Sequence, residues 1–72
     1  MAVLSHAEYD LLERAVSQGR RIAVWRRGSE FLVIPVSLDQ KNGREVISAR
    51  HPTTGEALSL VIDEIDGFEV IR

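Results

Sequence analysis

The sequence predicts a mainly β domain with one N-terminal α-helix and five short antiparallel strands. Three observations carry that expectation. Apolar residues recur at three-to-four spacing before Gly19 and at two-residue spacing after Arg20. Isolated glycines, prolines and an Asn-Gly pair divide the rest of the chain into short segments. The length, 72 residues with 44% hydrophobic, fits a single domain over 1–72 and no second one.

The helix is expected over about 6–18. Ser5 followed by Glu8 has capping-box spacing, and Leu4 with Tyr9 is placed for a hydrophobic staple. Leu4, Ala7, Leu11, Leu12, Ala15 and Val16 form the apolar stripe, and Gly19 supplies a left-handed stop. A helix this short needs an apolar surface to dock on.

Strands are expected at about 20–27, 30–37, 44–51, 56–62 and 67–71. The first carries Ile22, Val24 and Trp25 and ends in a Gly28-Ser29 turn. The second, Phe31-Leu32-Val33-Ile34-Pro35-Val36, is apolar on both faces, as a central strand is. Pro35 has no N–H to donate, so an edge or a bulge is expected at that end. Asp39–Gly43 is expected as a turn, with Asn42-Gly43 a strong hairpin signal. The third strand sets Val46 and Ser48 on one face and Ile47 and Ala49 on the other. Pro52–Gly55 turns the chain back, and the fourth strand points Leu58, Leu60 and Ile62 inward. Asp63–Gly67 suits one 3₁₀ turn before the last strand. Such short strands suit a small closed SH3/Sm-like barrel with the helix capping one end, since closure removes exposed edges. An open antiparallel sheet with the helix across one face is the competing arrangement.

Several function classes are excluded by composition. With no cysteine, disulfides, thiolate zinc sites and cysteine nucleophiles are absent. His6 and His51 have no metal-ligand spacing, the glycines form no phosphate loop, and no metal site or cofactor is expected. The chain has neither an apolar stretch of membrane-spanning length nor a basic-then-apolar leader, so no membrane association and a cytoplasmic location are expected. Nothing in the Ser, His and Asp spacing supports a triad, and an enzyme is not expected.

The formal charge of −2 conceals sorting, with +1 over residues 1–36 and −3 over 37–72. Arg20, Arg21, Arg26 and Arg27 cluster in the first half. Asp63, Glu64, Asp66 and Glu69 cluster in the second. Trp25-Arg26-Arg27 joins an aromatic to two guanidiniums, a combination that stacks a base and holds a phosphate. The other reading of Trp25 is a core residue packed beneath the helix. Arg50 is a further candidate contact for a ligand or nucleic acid. The acidic set is the candidate docking patch for a basic protein partner, or a solvated turn. The acids fit no calcium-loop spacing.

Over about residues 11–71 the order of elements resembles the WYL domain, a small Sm/SH3-like barrel of bacterial transcription regulators. Leu11–Val16 with Arg21–Trp25 is similar to that family's helix, turn and first strand. Val33–Leu38 is similar to its proline-marked second strand, Gly43–Ala49 to its third, and Gly55 with Leu60–Ile65 to its late strand and Asp-x-Ile ending. Leu32 and Glu64 stand where the family usually carries Arg, so the resemblance implies the barrel more than the family's ligand pocket. Tyr9-Asp10, Leu12-Glu13 and Ala15 resemble the helix of the Rof family, Sm-like inhibitors of the Rho termination factor. Both resemblances imply regulation through binding, to nucleic acid in one case and protein in the other. A self-assembling module, a homo-oligomer joined through its strands, is the third expectation.

Overall fold

The computed structural model describes residues 4–71; the remainder of the domain expected over 1–72 lies outside the described residues. The elements in chain order are α1 (His6–Gln18), β1 (Ile22–Arg26), β2 (Ser29–Lys41), β3 (Arg44–Arg50), β4 (Ala57–Val61), a 3₁₀ turn (Ile62–Glu64) and β5 (Gly67–Val70). The five strands are antiparallel and lie in the order β4-β3-β2-β1-β5. No ladder joins β4 to β5 among the described residues, so hydrogen bonds leave the sheet open at those two edges. The closure expected from strand length is not made by backbone pairing.

Both ends of α1 follow from local chemistry. Ser5 Oγ accepts from Glu8 N–H at 3.2 Å, and Glu8 Oε1 accepts from Ser5 N–H at 2.9 Å, the reciprocal pair of a capping box. At the other end Gly19 adopts φ 64°, letting its N–H reach Val16 O and Arg20 N–H reach Ala15 O. The buried stripe is narrower than expected. Leu12 and Ala15 are buried with Leu4, Tyr9 packs beside them, and Ala7 and Leu11 are exposed. The helix docks on β2 and β5, and those two strands select which residues of the stripe are covered.

β2 organises the sheet. It is central, as its apolar run implies, and it continues to Lys41 through the segment expected as a turn. Pro35 pairs with Ala49 but Ser37 pairs with Ser48, so Val36 is an extra residue and forms the expected bulge. The bulge reverses side-chain parity. Val33 and Pro35 are buried before it, whereas after it Leu38 packs against the core and Ser37 turns away, opposite Ser48. Ile47 and Ala49 on β3, Leu60 on β4, Ile22 and Val24 on β1 and Ile62 and Ile65 around the 3₁₀ turn complete the core. That turn starts one residue earlier than expected, because Ile62 is buried and Ile65 N–H reaches back to Ile62 O at 3.2 Å.

Trp25 does not supply the core, contrary to one of its two readings. On β1 the core parity is Ile22 and Val24, opposite Val33 and Phe31 on β2 and Val70 and Phe68 on β5. Trp25 therefore falls on the outer face with Ala23 and stays half-buried.

Candidate binding surface at the first hairpin

The turn between β1 and β2 is Arg27-Gly28, one residue earlier than expected, because Arg26 pairs with Ser29. Both turn residues have positive φ, 51° at Arg27 and 78° at Gly28, as a two-residue turn of the type I′ kind requires. The second hairpin is built the same way, with Asn42 at φ 53° and Gly43 at 74°. The comparison is informative. Asn is well suited to the first position of such a turn, and Arg is not. The first hairpin thus holds a cation at its tip in a conformation that disfavours it.

Two hydrogen bonds hold that conformation. Asp66 Oδ2 accepts from the Arg27 backbone N–H at 3.2 Å, and Asp66 N–H donates to Trp25 O at 2.7 Å. One member of the acidic cluster thereby fastens the basic hairpin. The two charge clusters adjoin because β5 pairs with β1.

The three hairpin residues point in different directions. Trp25 lies on the outer face, opposite Glu30 on β2 and Gly67 on β5. Arg26 lies on the other face, its guanidinium carbon 5.3 Å from the centroid of the Phe31 ring, within cation–π range. Arg27 sits in the turn and shares neither face, whereas a two-residue period through Arg27 places it with Trp25. Arg50 stands apart. It pairs with Ile34 while Trp25 pairs with Glu30, which separates them by about 17 Å along and across the ladder. Its Nη1 donates to Gly55 O at 3.2 Å, within the β3–β4 connection.

Phe31 was not legible as a site residue. It is 36% exposed and forms the floor, with Leu58 and Pro52, of a shallow cleft of about 380 Å³. His51 and Thr53 stand on the rim. His51 is exposed, and its Nδ1 accepts from Thr53 N–H at 3.2 Å and Thr54 N–H at 3.3 Å, so it shapes the turn. The signal for Phe31 was the turn position. Once Arg27-Gly28 is the loop, Phe31 becomes the diagonal neighbour of Arg26.

The acidic residues have different partners. Glu64 Oε2 lies 3.8 Å from Arg44 Nη1, an exposed pair worth little in stability. Asp66 serves the hairpin, Asp63 is exposed within the 3₁₀ turn, and Glu69 sits on β5 opposite Ala23. Among the described residues no three His, Asp or Glu side chains gather to hold a metal ion. No helix there is long and apolar enough to cross a membrane.

A second polar group lies on the outer face beyond the bulge. Asp39 Oδ2 accepts from Ser48 Oγ at 2.7 Å and from Ser37 Oγ at 2.8 Å. These bonds, that from Ser48 first, hold the Asp39 carboxyl below its ordinary pKa of 3.8. The Ser37-x-Asp39 spacing is visible in the sequence, but the part of Ser48 depends on the register set by Val36. No protein-family model matches this chain, and none of the curated proteins compared with it matches either.

Proposed function

We propose that this chain is a non-catalytic, cytoplasmic binding module that engages single-stranded nucleic acid through its first hairpin, in transcriptional or other nucleic-acid-linked regulation. In this reading the curved sheet is a small barrel of the SH3/Sm-like type, as the WYL and Rof resemblances imply. One observation carries the proposal: an arginine occupies the left-handed position of the first turn, where the second hairpin uses asparagine. Residues held in sparsely populated backbone regions concentrate at functional sites, and a cation projected from a rigid tip suits a phosphate. Beside it, Arg26 over the exposed Phe31 ring combines a base-stacking surface with a second cation. Trp25 adds an aromatic on the opposite face, available to a strand that wraps the hairpin.

Titration of a fluorescently labelled single-stranded oligonucleotide at several salt concentrations tests this. Arg26→Ala with Arg27→Ala should weaken binding and reduce the slope of log K against log salt by about 1.4, for two phosphates at ~0.7 each. Phe31→Ala should cost about 1–3 kcal/mol of stacking, read as a 5- to 150-fold rise in Kd. Absence of binding at low salt, or an unchanged slope in the double variant, refutes the proposal. The reading as an adaptor for a basic partner through Asp63, Glu64, Asp66 and Glu69 has less support, since Glu64 faces Arg44 and Asp66 is bound to the hairpin.

A further inference from the structure

The first hairpin has an open stretch of strand edge beside the Phe31 cleft. On β1, Trp25 O accepts from Asp66 N–H at 2.7 Å and Arg21 O from Ile71 N–H at 2.9 Å, so the main-chain groups of Arg21, Ala23 and Trp25 face β5. Those of Ile22, Val24 and Arg26 then face β2, where Val33, Phe31 and Ser29 receive them. By the same alternation the N–H and C=O of Glu30 and Leu32 point the other way, toward β3. The β3 ladder does not extend that far. It starts at the pair Ile34 and Arg50, His51 N–H turns to Glu56 O at 2.9 Å, and Pro52, next in register with Leu32, has no N–H. Among the described residues nothing bonds the outward N–H and C=O of Leu32.

These free groups form one wall of the cleft. Residues 30–33 all border it, and four consecutive residues of a strand share a border only along their edge. The facing loop is braced from within: besides the two bonds to His51 Nδ1, Gly55 N–H donates to His51 O at 2.9 Å and Glu56 N–H to Thr54 Oγ1 at 3.2 Å. The cleft is therefore preformed, with an aromatic floor and an adjacent donor and acceptor in its wall. We propose that it receives one unstacked base of the bound strand, the ring lying on Phe31 and the Watson–Crick edge pairing with Leu32 N–H and C=O. This rests on the nucleic-acid reading of the first hairpin and adds how that site tells a single strand from a duplex. Each base carries an adjacent donor and acceptor on that edge, so the pairing tolerates any sequence but rejects a base already paired. An extended peptide is the other occupant of an open edge. Only Glu30 and Leu32 offer it main-chain groups before the Arg27-Gly28 turn, and a ring with Arg26 against it suits a nucleotide better.

Base analogues test it on the unaltered protein. Labelled oligothymidylate is titrated beside the same oligomer methylated at N3 of every thymine, and beside the abasic oligomer of equal charge. Methylation keeps the ring and the phosphates but removes the donor next to O4. The methylated oligomer should bind about tenfold more weakly, as expected for one hydrogen bond left unmade, with the same salt slope. The abasic oligomer should bind more weakly still, and pairing the oligothymidylate with oligoadenylate should abolish its advantage over the abasic one. In amide NMR spectra the Leu32 resonance should move with oligothymidylate and stay in place with the methylated oligomer. Equal affinity for the methylated and unmethylated oligomers, undiminished binding of the duplex, or a Leu32 amide that does not respond overturns the cleft assignment and leaves the hairpin reading standing. Failure of every oligomer to bind at low salt refutes the hairpin reading itself, and this inference with it. A Leu32 amide that responds to an extended valine-rich peptide and to no oligomer makes the edge a strand-addition site, which also overturns the proposal.

Discussion

Arg27→Asn should stabilise this protein while weakening its binding to nucleic acid. The backbone at Arg27 has φ 51° and that at Asn42 has φ 53°, in two turns of the same design. A left-handed conformation costs an ordinary L-residue roughly 1–2 kcal/mol, and Asn recovers part of that through its short polar side chain. The replacement should therefore gain about 1 kcal/mol. The bond from the residue 27 N–H to Asp66 Oδ2 is a backbone bond, and the substitution keeps it. For a domain of this size 1 kcal/mol corresponds to a rise of about 4–8 °C in Tm. In urea the midpoint should move up by roughly 0.5–1 M with no change in m-value, because the surface exposed on unfolding is the same. The same protein should bind the labelled oligonucleotide more weakly, with a salt slope smaller by about 0.7 for the lost phosphate contact. An Arg27→Asn variant that is equally or less stable would refute the idea that the turn is strained. Greater stability with unchanged binding would show that the strained residue has no part in the interface.

Two further predictions concern the sheet beyond the bulge. Asp39 has its pKa lowered in the folded chain by the hydroxyls of Ser48 and Ser37, so its contribution is fully present above the ordinary value of 3.8 and is lost as pH falls through the lower folded value. Urea midpoints measured across that acidic window should decline, and Ser37→Ala with Ser48→Ala should flatten the decline; an identical slope in both proteins removes Asp39 from the account. Deleting Val36 should abolish cooperative unfolding, because removing the extra residue turns Leu38 outward and Ser37 into the core. Val36→Thr should be nearly neutral in the same thermal melt, as the side chain is 47% exposed. A deletion variant with a wild-type melt means that the bulge does not set the register.

What was legible and what was not divides along sequence separation. Ser5, Glu8 and Gly19 act on groups within a few residues, so both helix ends could be read directly. The inward set Leu58, Leu60 and Ile62 and the alternation of Val46 to Ala49 depend only on a two-residue period. The apolar run Phe31–Val36 hid its own orientation, since both faces are apolar and periodicity carries no sign there. The misplaced turn is a case of one residue changing many assignments. With Arg27-Gly28 as the loop, Arg26 moves beside Phe31 and Arg27 leaves the strand.

The residues themselves determined a capped helix, five antiparallel strands, two glycine-containing hairpin turns and an edge or a bulge at Pro35, because each is a local consequence of backbone chemistry; the register made it a bulge. Only the tertiary structure decided which partners meet across the sheet. The Arg27 N–H and Asp66 are 39 residues apart, and Ser48 and Asp39 are nine apart across a bulge. Strand order put the acidic segment against the basic hairpin, and the parity of β1 put Trp25 on the outer face. These contacts depend on register, and a one-residue slip exchanges the two faces of a strand. The sorting of charge was written in the chain; its use to fasten one hairpin came from the fold.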